Sequence, residues 1–171
     1  GLFPTVTKYG MAALLPHKKL EVKPRPDGTL AVLADGEPTD AGYRDKLLKK
    51  ANPASVALKY EDILLLKRQE RQALVKGMSV VYIYHDTVDK ASHTSDSAVF
   101  SACEEAIGQI KNLARIIVND FGGTNILVTA DHGFLYTYSP LSESDKLSRD
   151  AFDGKIFELG RRYGLTAPDT T

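Results

Sequence analysis

The chain has 171 residues, of which 43% are hydrophobic and 26% charged, a composition typical of a globular domain and not of a disordered chain. Acidic and basic residues balance at 22 each, so the net charge does not point to nucleic acid, although a local basic patch stays compatible with it. Cys103 is the single cysteine, which excludes an internal disulfide and a zinc site built from thiolates and fits a reducing, cytoplasmic setting. The sequence shows neither a signal-peptide pattern nor an apolar run near the ~20 residues of a membrane span, so we expect no membrane contact.

The first half of the chain is predicted to combine short helices with one β-hairpin. Alternating polar and apolar residues predict strands at 19–23 and 29–33, and residues with strong turn preference lie between and after them. We therefore expect a small β-hairpin insertion at about 18–36. The predicted helices of this half are 8–15, a helix capped by Thr39 or Asp40 that runs to about Lys50, and a surface helix over 60–75.

The second half predicts a parallel sheet. Residues 79–84 form a continuous β-branched and aromatic run, as in a strand that is buried on both faces. Apolar residues at helical spacing predict a long helix over 97–119, and 125–129 is predicted to be a second buried strand. Strand, helix and strand would make a right-handed βαβ unit, so the fold class is α/β. A last short strand is predicted at 156–159.

Side chains that bind metals follow both of the predicted buried strands. Asp89 and His93 lie in the segment after the first strand, and Asp131 and His132 come directly after the second. Ligands of open α/β sheets bind at the carboxyl ends of the strands, and a two-metal site needs several imidazole and carboxylate ligands. Taken singly, Asp131-His132 could be a turn with a helix cap, and Asp89 with His93 a solvated pair. Their joint occurrence at two consecutive strand ends favours a metal site.

Thr7 is the candidate nucleophile. It lies where a proline-containing loop meets a helix, which would leave the backbone N–H groups of Lys8, Tyr9 and Gly10 facing an anion. A threonine hydroxyl becomes a useful nucleophile when a base takes its proton or a metal lowers its pKa. The alternative is that Thr7 is an ordinary helix N-cap.

These candidates lie within three longer blocks of sequence. The blocks are PTVTKYGMAALLPH at residues 4–17, VYIYHDTVD at 81–89 and TADHGFLY at 129–136. Together and in this order they resemble the PglZ domain of the alkaline phosphatase superfamily, which is associated with bacterial BREX phage-defence systems. The fold that this resemblance implies is an alkaline-phosphatase-like parallel sheet flanked by helices.

The resemblance also implies a role for each candidate residue. Thr7, as the threonine of a Pro-x-x-Thr pattern, would attack phosphorus. One metal ion would be held by Asp89 and His93 and the other by Asp131 and His132, with the nucleophile between the two metals.

Two ligands that the superfamily supplies have no match in this sequence. One is an Asp on a strand before the nucleophile, and the other is a His far downstream; each metal would lose one ligand without them. We therefore expect residues 1–171 to be a single but partial domain, an excised core that is inactive or nearly so by itself. The start at Gly1 instead of Met favours the same interpretation.

The leading hypothesis for function is a metal-dependent phosphatase or phosphodiesterase of a bacterial defence system, acting through a phospho-Thr intermediate. The two divalent metal ions would be zinc, which suits mixed His and Asp ligands, or manganese. A phosphorylated or phosphodiester substrate, other defence-system proteins and nucleic acid are the expected partners. The alternative is a catalytically inactive scaffold of the same superfamily, which binds partner proteins or nucleic acid in a defence complex.

Overall fold

A computed structural model describes residues 4–92, 98–133, 142–145, 148, 155–160 and 163–167 of the chain. The chain divides into two compact units. Unit 1 contains Gly1–Arg44 and Thr129–Thr171, and unit 2 contains Asp45–Val128. Helices and strands occur in both units, so the predicted α/β class is confirmed.

Unit 1 begins with a helix that leads into an antiparallel hairpin. Its first elements are α1 (Thr7–Leu14), β1 (Leu20–Pro24), β2 (Leu30–Ala34) and β3 (Glu37–Pro38). Strand β2 pairs antiparallel with both β1 and β3. The turn between β2 and β3 has positive φ at Asp35 (50°) and Gly36 (85°), as a two-residue type I′ turn requires. The predicted hairpin is confirmed, and β3 extends it to Pro38.

The core of unit 1 forms where α1 packs on the hairpin. Tyr9 and Ala12 of α1 are buried against Val32 of β2, and Tyr163 and Leu165 pack on the same cluster. The strand predicted at 156–159 is confirmed as β6 (Ile156–Leu159), which pairs antiparallel with β7 (Gly164–Thr166). Full burial of an apolar side chain contributes roughly 1.5–3 kcal/mol, so this cluster determines which face of α1 points inward.

The helix predicted after Thr39 forms, but its cap differs from the prediction. A 3₁₀ turn (Ala41–Tyr43) leads into α2 (Arg44–Ala51). Asp40 is the N-cap of the turn, but its side chain makes no cap hydrogen bond, and the Thr39 hydroxyl donates to the Val32 carbonyl at 2.8 Å. The prediction that Thr39 caps the helix is wrong, because its side chain is buried against β2 and its hydroxyl donates a hydrogen bond to a carbonyl of that strand instead.

Unit 2 contains a parallel pair of strands, β4 (Ser55–Lys59) and β5 (Val80–Tyr84). Two helices, α3 (Tyr60–Leu65) and α4 (Arg68–Val75), connect them. The parallel pairing of β5 is confirmed, but sequence analysis missed β4 and merged α3 with α4 into one helix. The helix is interrupted at Leu66, whose backbone is extended (φ −90°, ψ 144°).

Strand β5 is less buried than its composition predicted. Val80 is 37% exposed, and the other residues of the strand are half-buried. Burial on both faces requires helices over both faces of a sheet, and among the described residues this sheet has two strands. The expectation of a fully buried strand is therefore wrong.

The predicted long helix of unit 2 is confirmed. Helix α5 (Thr87–Ser92) precedes α6 (Ala98–Ile116), which continues as a π-helical turn (Ile117–Phe121). The core of the unit is a cluster contributed by α3 and the end of α6: Tyr60, Ile63, Leu113 and Ile116. No helix in the described part of the chain, α6 included, has the length and apolar character needed to cross a membrane.

No strand forms at 125–129, so the predicted second buried strand is wrong. Ile126, Leu127 and Val128 are 45%, 90% and 63% exposed. The β-branched composition of this segment suits a strand, but a strand also needs hydrogen bonds from a neighbour, and no described strand pairs with it. Among the described residues, the strand that pairs parallel with β5 is β4, not the segment 125–129.

Candidate active site

Thr7 is the first residue of α1, and its hydroxyl faces a histidine. The N-cap of α1 is Val6, with extended backbone (φ −133°, ψ 156°) and no side-chain cap. The Thr7 side chain is exposed, and its Oγ1 lies 3.0 Å from Nε2 of His132. The alternative that Thr7 is an ordinary N-cap is therefore wrong, and the hydroxyl has a partner 125 positions away in the sequence.

The hydrogen bonds of His132 determine which of its nitrogens carries the proton. Nδ1 lies 2.9 Å from the carbonyl of Gly133, which can only accept, so Nδ1 is the donor. In the neutral ring Nε2 then carries the lone pair and accepts a hydrogen bond from the Thr7 hydroxyl. The same lone pair is the one that a metal ion would use, since a ligating histidine commonly donates its other N–H to a carbonyl.

Asp131 lies beside this pair because α1 has a glycine at the point of contact. Oδ2 of Asp131 is 3.6 Å from Nε2 of His132, and both side chains are about one-quarter exposed, 24% and 23%. A Cβ added to Gly10 would lie 2.1 Å from the backbone oxygen of Asp131. Gly10 thus allows the Asp131-His132 segment to approach α1 closely enough for His132 to contact Thr7.

The backbone amides at the start of α1 differ from the prediction. The N–H groups of Tyr9 and Gly10 donate to the Val6 carbonyl at 3.0 and 2.9 Å. These two amides are therefore not available to an anion, so the prediction is wrong for Tyr9 and Gly10, two of the three expected donors. The extended Val6 directs its carbonyl into the first turn, where these two amides are the nearest donors.

A second polar cluster joins α1 to β6, and sequence analysis missed it. Glu158 accepts hydrogen bonds from Lys8 Nζ (3.0 Å), from the Tyr9 hydroxyl (3.2 Å) and from the Tyr163 hydroxyl. The rings of Tyr9 and Tyr163 meet edge to face, 6.3 Å apart. In β6 the apolar side chains of Phe157 and Leu159 are exposed, and Glu158 between them is half-buried.

The ionisation of this cluster follows from its burial and its hydrogen bonds. Burial raises the pKa of Glu158, but the bonds from Tyr163, Lys8 and Tyr9 outweigh it, so the pKa lies below the ordinary value of 4.5. Burial and the contact with Glu158 raise the pKa of Tyr163 to about 12 and raise that of Tyr9 as well. At neutral pH the cluster therefore contains a carboxylate and two neutral phenols.

Asp89 and His93, the other predicted ligand pair, follow β5 in the sequence. Asp89 is an exposed residue of α5 in unit 2, in a segment predicted as a loop, and His93 lies outside the described residues. Two groups of polar contacts hold this segment. Lys90 forms ion pairs with Glu61 (2.8 Å) and Asp86 (2.9 Å). Oε1 of Gln109 accepts hydrogen bonds from His85 and Thr87. That all four candidates bind metal ions at one site stays a prediction. These candidates are Asp89, His93, Asp131 and His132.

Within the described residues no three His, Cys, Asp or Glu side chains form a group that could hold a metal ion. That part of the chain contains Thr7, Asp131 and His132 together in unit 1. The predicted nucleophile and one of the two predicted ligand pairs are therefore close together in space.

A threonine that starts a helix beside an Asp-His pair, in an α/β chain, is the arrangement expected of an alkaline phosphatase-like domain. Comparison with known families agrees: the model of the BREX system PglZ alkaline phosphatase-like domain matches residues 1–171. The chain belongs to this family, as the resemblance of its three sequence blocks implied.

Two curated relatives are similar over most of the chain. The alkaline phosphatase-like protein BrxZ of Escherichia coli O9:H4 (strain HS) is 42% identical over 149 residues, which are 85% of this chain and 17% of BrxZ. The alkaline phosphatase-like protein PglZ of Bacillus cereus (strain H3081.97) is 32% identical over 158 residues, 91% of this chain and 18% of that protein. The chain thus spans less than a fifth of the length of either relative. No solved structure matches it.

Proposed function

We propose that this chain carries the nucleophile of a metal-dependent phosphatase or phosphodiesterase, with Thr7 as the residue that attacks phosphorus. The observation that carries the proposal is the 3.0 Å contact between the Thr7 hydroxyl and Nε2 of His132. A threonine needs a proton acceptor or a cation before it can attack, and this contact supplies an acceptor.

The reaction would proceed in two displacements. In the first, Oγ1 of Thr7 bonds to phosphorus and the bond from phosphorus to the ester oxygen breaks. The hydroxyl proton of Thr7 passes to the departing ester oxygen, through Nε2 of His132 when that nitrogen is free and through water when it holds a metal ion. In the second, water attacks the phospho-Thr, the bond between phosphorus and Oγ1 breaks, and Thr7 regains its proton as phosphate or a phosphate monoester is released. The covalent intermediate divides one difficult displacement into two easier ones.

Two divalent metal ions are part of the proposal, with Asp131 and His132 as ligands of one and Asp89 and His93 as ligands of the other. The unit 1 pair fits in kind, since the bond from Nδ1 of His132 to Gly133 leaves Nε2 for a ligand and the Asp131 carboxylate lies 3.6 Å away. A bound zinc or manganese ion would lower the pKa of the attacking hydroxyl and stabilise charge on the phosphoryl oxygens. The single lone pair of Nε2 would serve either the ion or the Thr7 hydroxyl at one time.

The substrate class is a phosphorylated or phosphodiester compound, and nucleic acid belongs to this class. The family description names the BREX system, which supports a role beside other defence-system proteins. A location in the bacterial cytoplasm is part of the proposal.

The test uses the protein at its full natural length. We expect it to retain zinc or manganese after purification, measured by inductively coupled plasma mass spectrometry, and to hydrolyse a chromogenic phosphodiester. Thr7→Ala should reduce turnover by about 1,000-fold or more, because it removes the nucleophile and not a binding contact. The matched control is Thr5→Ala, which removes an exposed hydroxyl from the same loop and should leave turnover unchanged.

Loss of activity on chelation and its return with zinc or manganese would support the metal part of the proposal. A protein that holds no metal and shows no Thr7-dependent hydrolysis would contradict it. The chain would then be a non-catalytic scaffold that binds partner proteins or nucleic acid.

A further inference from the structure

We propose that Glu158 is a positioning residue for Thr7, because it fixes the orientation of the first turn of α1 through Lys8 and Tyr9. This inference rests on the proposed nucleophilic role of Thr7. It adds a residue from β6, a strand that belongs to none of the sequence blocks through which the chain resembles its family.

Helix α1 is held on two sides in its first turn. Thr7 and Gly10, three residues apart and therefore on one face, contact the Asp131-His132 segment. Lys8 and Tyr9, the two residues between them, bind the carboxylate of Glu158. Rotation of α1 about its axis would break both sets of contacts, so the orientation that Glu158 stabilises is the one that presents Thr7 to His132.

The helix itself offers little to fix this turn. Val6 provides no side-chain cap, and the first turn of α1 contains no acidic residue to balance the helix dipole. Glu158 brings a carboxylate to this turn from another element. It is held there by three donors: the Lys8 ammonium and the hydroxyls of Tyr9 and Tyr163.

The burial of the cluster distinguishes it from an ordinary surface ion pair. Glu158 and Lys8 side chains are 25% and 35% exposed, and Tyr9 is 1% exposed. Exposed pairs restrain a helix weakly, because both side chains are mobile and solvated. Here the Tyr9 ring is fixed in the core of unit 1, and its hydroxyl has the Glu158 carboxylate as its acceptor.

The experiment compares Glu158→Ala and Glu158→Gln in the full-length protein, with Glu21→Ala as matched control. Glu21 is a carboxylate on β1 in the same unit, and it pairs with Lys19 at 2.9 Å. The first measurement is the imidazole nitrogen spectrum of His132 by nuclear magnetic resonance, in protein freed of metal by chelation so that Nε2 is open to the Thr7 hydroxyl. The signals are assigned with His132→Asn. Thr7→Ala provides the spectrum of His132 without its hydroxyl partner.

We expect Glu158→Ala to shift the His132 nitrogens toward the Thr7→Ala spectrum and to lower kcat at least about tenfold with little change in KM, since misplacement of a nucleophile affects the chemical step. Glu158→Gln, which keeps one acceptor oxygen but loses the charge, should give an intermediate spectrum and rate. Glu21→Ala should match the wild type in both measurements.

His132 signals that stay as in the wild type in both Glu158 variants would overturn the proposal. If Glu158→Ala does not fold, the Glu158→Gln spectrum decides in the same way. If the wild type hydrolyses no phosphoester, the proposed function fails, yet the His132 spectrum still tests whether Glu158 orients α1.

Discussion

Gly10 lies one helical turn after Thr7, on the face of α1 that meets Asp131. The distance of 2.1 Å between a Cβ at this position and the Asp131 carbonyl oxygen is far below any van der Waals contact. The atom that would have to move belongs to the backbone, so rotation of a side chain could not relieve the collision. The contact between Thr7 and His132 thus depends on Gly10, because any side chain at this position would collide with the backbone of Asp131.

Gly10→Ala should therefore destabilise the protein by about 1–3 kcal/mol, as overpacking does, in spite of the higher helix propensity of alanine. Urea unfolding measures the free energy. The matched control is Gly108→Ala in α6, where a Cβ would meet nothing within 4 Å, and there alanine should stabilise by roughly 0.5–1 kcal/mol. A Gly10→Ala variant as stable as the wild type would show that the Asp131 segment can withdraw from α1 at no cost.

At the scale of helices and strands, the sequence predicts elements with strong internal patterns and misses those that depend on neighbours. Strand β4 is five residues long and begins two residues after Pro53, and so short a pattern is difficult to distinguish from a loop. The segment 125–129 has a strong strand composition, but strand formation requires a paired neighbour, which composition does not report. Long α6 and the hairpin of unit 1 were predictable because each carries its periodicity within itself.

The same reasoning applies to the candidate site. The proximity of Thr7 to Asp131 and His132 could be predicted because the sequence blocks that contain them resemble one family, although the strand expected before Asp131 does not form. Glu158 could not, because it is one of several acidic residues in a weakly patterned region. Its role comes from Lys8 and Tyr9, which are distant in sequence, and from Tyr163, which precedes β7.

The junction of α1 with β6 and β7 should make stability depend on pH at the alkaline end. The pKa of Tyr163 is about 12 in the folded chain against an ordinary value of 10.0, so folding favours its neutral form. Its contribution is fully present below pH 10 and is lost as the pH rises toward 12. The carboxylate of Glu158, whose pKa is lowered, contributes above its ordinary 4.5 and loses that contribution as the pH falls.

Urea unfolding of the wild type and of Tyr163→Phe between pH 8 and pH 12 measures the alkaline part of this dependence. The wild type should lose on the order of 1 kcal/mol more than the variant across this range, a value that allows for solvent screening of a half-buried group. If the free energy of unfolding fell equally with pH in the two proteins, the Tyr163 hydroxyl would not have its pKa raised by Glu158 and burial in solution.

At the scale of the whole molecule, each unit has its own buried cluster, and apolar side chains at 126–128 stay outside both. The formal net charge of the chain is +0, so electrostatic repulsion gives little opposition to association through such an exposed segment. Exposed apolar runs of this kind are common sites of contact with other protein surfaces.

Leu127 and Leu113 allow a matched comparison, because the same residue type is 90% exposed at one position and 8% exposed at the other. Leu127→Ser should change the free energy of unfolding by no more than about 0.5 kcal/mol, as most surface substitutions do, and should reduce self-association in sedimentation velocity. Leu113→Ser should cost about 2–5 kcal/mol, because it opens a cavity between α6 and α3 and buries a hydroxyl. Equal destabilisation by the two substitutions would show that 126–128 is packed in solution, as the strand that its composition predicted would be.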